Sequence, residues 1–133
     1  MTSDQREEIK ADLAGLQAGH LGKELFAFFW IDNPEAPQEQ MSRTLPQHLR
    51  FLHELEARGI LFASGPLRDD PGVAITGGLT VIRADSFESA HVVMAPEPYV
   101  KAGLRTYQLR KWTLNEGRID VHLNLSNSTF SVG

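Results

Sequence analysis

The groups in this chain able to do chemistry narrow quickly to imidazole. Five histidines are present and no cysteine, which excludes a thiolate nucleophile, a disulfide framework and every cysteine-ligated zinc or iron–sulfur site. No glycine-rich loop followed by lysine offers a phosphate cradle, and no HExxH or other His pair at i, i+3 or i+4 spacing offers a metal chelate. His48 is the most informative of the five. Leu45, Leu49, Leu52 and Leu55 recur at helical spacing, and at about 100° per residue His48 projects between Leu52 and Leu55, inside the arc those leucines define. An imidazole on a core-facing stripe needs a hydrogen-bond partner, and a neighbouring carboxylate would tune it near neutrality. His48 is therefore either a satisfied structural histidine or a catalytic or ligand-binding one.

The remaining candidates are weaker. His53 falls at the polar edge of the same arc, and His91, four residues after Phe87 on the apolar side of another helix, reads as structural. Glu97 lies between Pro96 and Pro98, which stiffen the backbone around its carboxylate; it reads as a solvated loop residue or as a held acid. Ser64-Gly65-Pro66 reads first as a turn ending a strand, although a small side chain and a free hydroxyl also suit a pocket wall. Arg110 reads as an exposed strand arginine or as an anion clamp.

The elements that must position these groups follow from the pattern. Residues 4–18 put Ile9, Leu13 and Leu16 on a narrow apolar stripe, predicting an appended amphipathic helix that ends near Gly19. Glu24–Ile31 (ELFAFFWI) is apolar and aromatic at nearly every position, as a strand buried on both faces requires. Leu45–Arg58 predicts a helix with Pro46 in its first turn and Gly59 as its stop. Ile60–Ala63 and Leu79–Arg83 read as strands able to form a hairpin, and Asp85 with Glu88 resembles a capping box opening a helix through Met94. A turn leads to a strand at Thr106–Leu114, and after Asn115–Arg118 the alternation of Ile119, Val121, Leu123 and Leu125 with polar residues gives a half-exposed strand. The order over residues 24–114 is β-α-β-β-α-β, the split βαβ arrangement of an α+β ferredoxin-like domain, with an added N-terminal helix and an added C-terminal strand.

Bulk properties bound the partners. The 133 residues suit a single domain, with residues 1–22 a helical extension and 115–133 a hairpin extension. A formal charge of −4 with scattered Lys and Arg argues against nucleic acid as a partner. The absence of a signal-like or membrane-length apolar run argues against a membrane and points to the cytoplasm. Asn124-Leu125-Ser126 and Asn127-Ser128-Thr129 match a glycosylation pattern but read as a polar turn.

Several of these residues together resemble the YCII-related family: His48-Leu49 with Leu52 and Gly59, then Leu61 to Leu67 (LFASGPL), Ala90, Pro98 to Leu104 (PYVKAGL) and Trp112. The resemblance implies a ferredoxin-like domain that dimerises face to face into an α+β barrel. It also implies a site built from the histidine and an acid preceding Pro-aromatic, here His48 and Glu97. The family usually carries Asp where this chain has Glu97, and often Arg where it has Leu45. The expectation is a cofactor-independent lyase or isomerase that moves a proton on a small organic acid or aromatic compound. In it, His48 and Glu97 are catalytic, Ser64, Gly65, Pro66, Tyr99 and Arg110 contact the substrate, and no metal or cofactor is needed. The competing expectation is a non-catalytic small-ligand binding or interaction module using the same pocket. In either case a homodimer is expected, because the two helices of one copy cover only one face of the sheet.

Overall fold

The computed structural model describes residues 1–133, which divide into two compact units: Glu24–Thr113, and a second made from Met1–Lys23 with Leu114–Gly133. The larger unit is built from β1 (Lys23–Asp32), α2 (Gln38–Ala57), β2 (Leu61–Arg68), β3 (Ile75–Ile82), α3 (Phe87–Met94), the single turn α4 (Pro98–Lys101) and β4 (Arg105–Leu114). Its four strands form one sheet in the order β2-β3-β1-β4, so consecutive β1 and β2 are separated by β3, as the split βαβ order requires. β3 runs antiparallel to both β1 and β2. No helix is long and apolar enough to cross a membrane.

β1 is central because its sequence serves both faces. Its even positions Phe26, Phe28 and Trp30 form the core with Ile82 of β3 and with Ala90 and Met94 of α3. Leu25 and Ala27, on the other face, are also buried. Phe28 stacks edge-on against Tyr107 at 4.7 Å, an arrangement that adds to the area it buries.

α2 begins seven residues before the position predicted for it, after Pro37 rather than near Leu45. Gln38 to Met41 are all good helix formers, and an Arg43–Glu39 ion pair one turn apart supports the extension. Pro46 therefore lies inside the helix rather than in its first turn. β2 also runs farther than predicted. Ser64-Gly65-Pro66 continues the strand instead of ending it, with Pro66 opposite Gly78. This is tolerable because β2 is an edge strand, where a missing backbone N–H need not break a ladder on both sides. The cap of α3 is Ser86 with Ser89, not Asp85 with Glu88: the Ser86 hydroxyl accepts from the Ser89 amide at 3.0 Å, and the Ser89 hydroxyl accepts from the Ser86 amide at 3.1 Å.

In the smaller unit, α1 (Ser3–Gln17) opens with a Thr2–Gln5 capping box. The predicted strand at 119–125 shortens to β5 (Val121–Asn124) and pairs with a further strand, β6 (Thr129–Val132), in a sheet of two. The polar stretch between them forms the turn, closed by Asn127, whose side-chain oxygen accepts from both the amide and the hydroxyl of Thr129.

Because Phe28 is fully buried in the middle of the central strand, Phe28→Ala is expected to cost about 3–5 kcal/mol through lost burial and the cavity left behind. Urea unfolding of the two proteins measures it.

Candidate functional site

α2 carries His48 on the face it shares with buried Thr44, Leu52 and Leu55, so the ring is turned toward the sheet and is only 8% exposed. Its partner comes from the segment after α3. Glu97, which reads from the sequence as a solvated loop residue or as a held acid, is completely buried and forms the N-cap of α4. One oxygen, Oε2, accepts from the amide of Val100 at 2.9 Å. The other, Oε1, lies 2.7 Å from His48 Nδ1. A carboxylate only accepts, so Nδ1–H of His48 donates and Nε2 is the free ring nitrogen. Both oxygens of this buried acid are thus used, and the two prolines flanking Glu97 hold it in place.

Aromatic rings enclose the pair. His48 packs edge-on to Trp30 at 6.2 Å and against Tyr99 at 5.1 Å, and the Tyr99 hydroxyl donates to the carbonyl of Met41 in α2 at 2.9 Å. Burial, reinforced by the charges of Glu97 and Asp32 and opposed by Arg105, raises the Tyr99 phenol above its ordinary value; burial alone raises Tyr107.

Between α2 and strands β2 and β3 lies an open cavity of about 730 Å³, a size that suits a small organic molecule. His48 lines it together with Leu45, Leu49 and Leu52 of α2, Trp30 of β1, Thr80 of β3 and Ser64, Gly65 and Pro66 of β2. Small residues open the floor: a Cβ built on Gly78 would come within 3.2 Å of Trp30 Cδ1. Trp30 Nε1 donates to Thr80 Oγ1 at 2.8 Å, and Thr80 Oγ1 is 2.8 Å from Ser64 Oγ. At one side of the cavity, Arg105 lies over the Tyr99 ring at 4.0 Å and donates from Nε to Asp32 at 2.7 Å. The residues present form no group of three or more His, Cys, Asp or Glu side chains able to hold a metal ion.

The structure brings together His48, Glu97, Ser64, Gly65 and Pro66, with Tyr99 packed behind the imidazole rather than lining the cavity. Arg110 is not part of it. Its guanidinium lies over Phe29, on the sheet face opposite the helices, because the alternation of β4 sends Arg105 and Tyr107 to one side and Arg110 and Trp112 to the other. His53 lines the cavity, whereas His91 lies outside it, with Nδ1 2.7 Å from the Tyr107 hydroxyl. The cation at the site is Arg105, one residue before the strand start that the sequence suggests. Trp30 and Thr80 gave no signal beyond their place in apolar strand runs, since their polar atoms matter only once three strands are side by side.

The fold and the site define the class: an α+β domain of ferredoxin-like topology with a His–carboxylate pair beside an open cavity. Residues 25–113 match the YCII-related domain, and the chain belongs to that family. It is similar to the uncharacterized protein YjpA of Bacillus subtilis, 35% identical over 69 residues that make up 52% of this chain and 75% of that protein. Among solved structures it is similar to 5-chloro-2-hydroxyhydroquinone dehydrochlorinase (TftG) of Burkholderia phenoliruptrix in complex with 2,5-dihydroxybenzoquinone. That match has a TM-score of 0.55 and 25% identity, and it covers 67% of this chain and 93% of the other.

Two outcomes are expected. Gly78→Ala should displace the indole of Trp30 by a few tenths of an ångström and perturb its hydrogen bond to Thr80, visible as a shift in tryptophan emission relative to wild type. Alkaline titration should ionise Tyr99 and Tyr107 above the ordinary tyrosine value of about 10 while the protein is folded, and at that value once it is denatured. A native pKa above the unfolded one favours the protonated folded state. The stability it contributes is therefore complete below about pH 10 and is lost as pH rises through the raised native values; ultraviolet titration with parallel urea unfolding tests both halves.

Proposed function

We propose that the protein is a cofactor-independent enzyme of lyase or isomerase type. It moves a proton on a small organic acid or aromatic compound, with His48 as the acid–base group and Glu97 as its orienting partner. The observation that carries this reading is the 2.7 Å contact between His48 Nδ1 and a carboxylate that is wholly buried, at the wall of a cavity large enough for such a molecule. Glu97 fixes the tautomer with Nδ1 protonated, leaving Nε2 to take a proton from a cavity occupant and return it elsewhere. Its charge also stabilises the imidazolium formed in between. Ser64 and the backbone beside Gly65 and Pro66 supply polar contacts to the substrate. The similarity to a dehydrochlorinase bound to a hydroxyquinone supports small-molecule catalysis of this kind.

His48→Ala is expected to lower turnover by about 10²- to 10⁴-fold, the usual contribution of general acid–base catalysis, with small hydroxyquinones and 2-oxo acids as trial substrates. Glu97→Gln should lose part of that factor for a specific reason. If its amide oxygen keeps the Val100 bond, its NH₂ must face His48 and reverse the tautomer, which nitrogen-15 spectra of the imidazole report. The double variant should lose little more than His48→Ala alone, because the two groups act as a unit. Glu97→Asp keeps the cap but withdraws the carboxylate by one methylene, so activity should fall. If His48→Ala lowers only the melting temperature and leaves ligand affinity unchanged, the pair is structural and the binding-module reading stands instead.

We also propose that the protein acts as a homodimer. On the face of the sheet opposite α2 and α3, Ile31, Leu67 and Trp112 are 54%, 42% and 41% exposed, and a second copy would cover them as the other half of a barrel. Light scattering at micromolar concentration should report twice the chain mass; a monomer would exclude the barrel.

A further inference from the structure

We infer that Ser64 offers its hydroxyl hydrogen to the cavity, polarised by a directed chain running Trp30 → Thr80 → Ser64, so that the site binds molecules presenting a carbonyl or enolate oxygen. The inference rests on the proton-transfer reading of His48 and names the substrate class that goes with it. Each link is a matter of which atom owns a hydrogen. An indole nitrogen only donates, so the 2.8 Å contact between Trp30 Nε1 and Thr80 Oγ1 uses one lone pair of the Thr80 hydroxyl. Thr80 is 1% exposed, and the one other partner of its Oγ1 is Ser64 Oγ at 2.8 Å. Were Ser64 the donor, the Thr80 hydrogen would be stranded in the core with no acceptor, the costly arrangement that buried polar groups avoid. Thr80 therefore donates to Ser64. The hydrogen of Ser64, which makes no other bond within the protein, is left for whatever occupies the cavity.

Polarisation along such a chain strengthens the last donor, and it is anchored to rings that cannot swing away. Trp30 packs both against Phe28 and against His48, so the donor chain and the base share one wall of the cavity. The chemistry that uses both is abstraction of a proton next to a carbonyl. The C–H or O–H bond breaks, its proton goes to His48 Nε2, and the electron pair moves onto the carbonyl oxygen. That oxygen becomes an enolate and accepts from Ser64 Oγ–H. Reprotonation of the enolate at another atom, or departure of a leaving group with the electron pair, completes an isomerisation or an elimination without any outside oxidant or reductant. Ser64 is the group that touches substrate in this scheme, while Thr80 and Trp30 are positioning residues.

The experiment is equilibrium binding of 2,5-dihydroxybenzoquinone, a coloured enolic probe, to the full-length protein, followed by its absorption band as well as by affinity. Ser64→Ala should weaken binding about tenfold or more, the range of a hydrogen bond to a charged acceptor, and shift the band of the bound probe. Thr80→Val, which removes the hydroxyl behind Ser64, should weaken binding several-fold and shift the band the same way, Thr80→Ser should restore both, and Ser64→Ala/Thr80→Val should bind no more weakly than Ser64→Ala. His48→Gln should abolish turnover while leaving the Ser64-dependent band shift in place, so a failed base assignment and a failed donor assignment give different results. The proposal is overturned if wild-type protein does not bind the probe, if Ser64→Ala binds it as tightly as wild type, or if the two single losses simply add. Because Thr80→Val could loosen the core, urea unfolding accompanies each variant; binding weakened in step with stability, and not rescued by Thr80→Ser, also overturns it.

Discussion

A carboxylate with no exposure to water is the constraint around which this domain is arranged. Burying such a charge is tolerable only when hydrogen bonds replace its hydration, and Glu97 obtains them from two directions, the amide of Val100 and the imidazole of His48. The first bond fixes the start of α4, and the second ties that turn to α2 on the other side of the aromatic wall. Removing either partner leaves the other side of the arrangement uncompensated, so the positions of α2 and α4 are coupled through one side chain. Tyr99 adds a second tie between the same two elements through Met41. The candidate site is for this reason tied to both elements at once.

Above that pair, the cavity exists because β2 and β3 are poor in bulk where they face α2. Ser64 and Gly78 leave room that larger residues on a half-buried strand would fill, and Trp30 leans into the space over Gly78. The apolar lining comes from the leucines of α2 and the polar atoms from the strands. The cavity therefore offers apolar shape on one side and hydrogen-bonding atoms on the other.

Much of the architecture was legible in the chain because it rests on periodicity. The unbroken run ELFAFFWI could only be a doubly covered strand, and His48 among leucines at helical spacing could only face inward. Glu97 was harder: nothing local distinguishes a glutamate between prolines in solvent from one serving as an N-cap in the core, and only the family pattern marked it. Arg105 could not be told from Arg110 as the cation at the site, because strand alternation gives two faces without saying which one holds the pocket; the helices decide that. The directed hydroxyl pair of Thr80 and Ser64 depends on a register between β2 and β3 that no spacing along the chain encodes. The early start of α2 was obscured by Pro46, which looks like a first-turn residue and is tolerated inside the helix.

Pro66 has a consequence beyond the cavity wall. A sheet of four strands has two outer edges, and an outer edge is a row of unused backbone donors and acceptors to which any extended peptide can add. On β2 that row contains a residue with no amide hydrogen and is bent by irregularities on either side of the Ala63–Leu67 stretch, while β4 carries Arg105, Arg110 and Lys111 along its length. A protein whose central strand is as apolar as any fibril-forming segment is thereby guarded against growing edge to edge into larger aggregates.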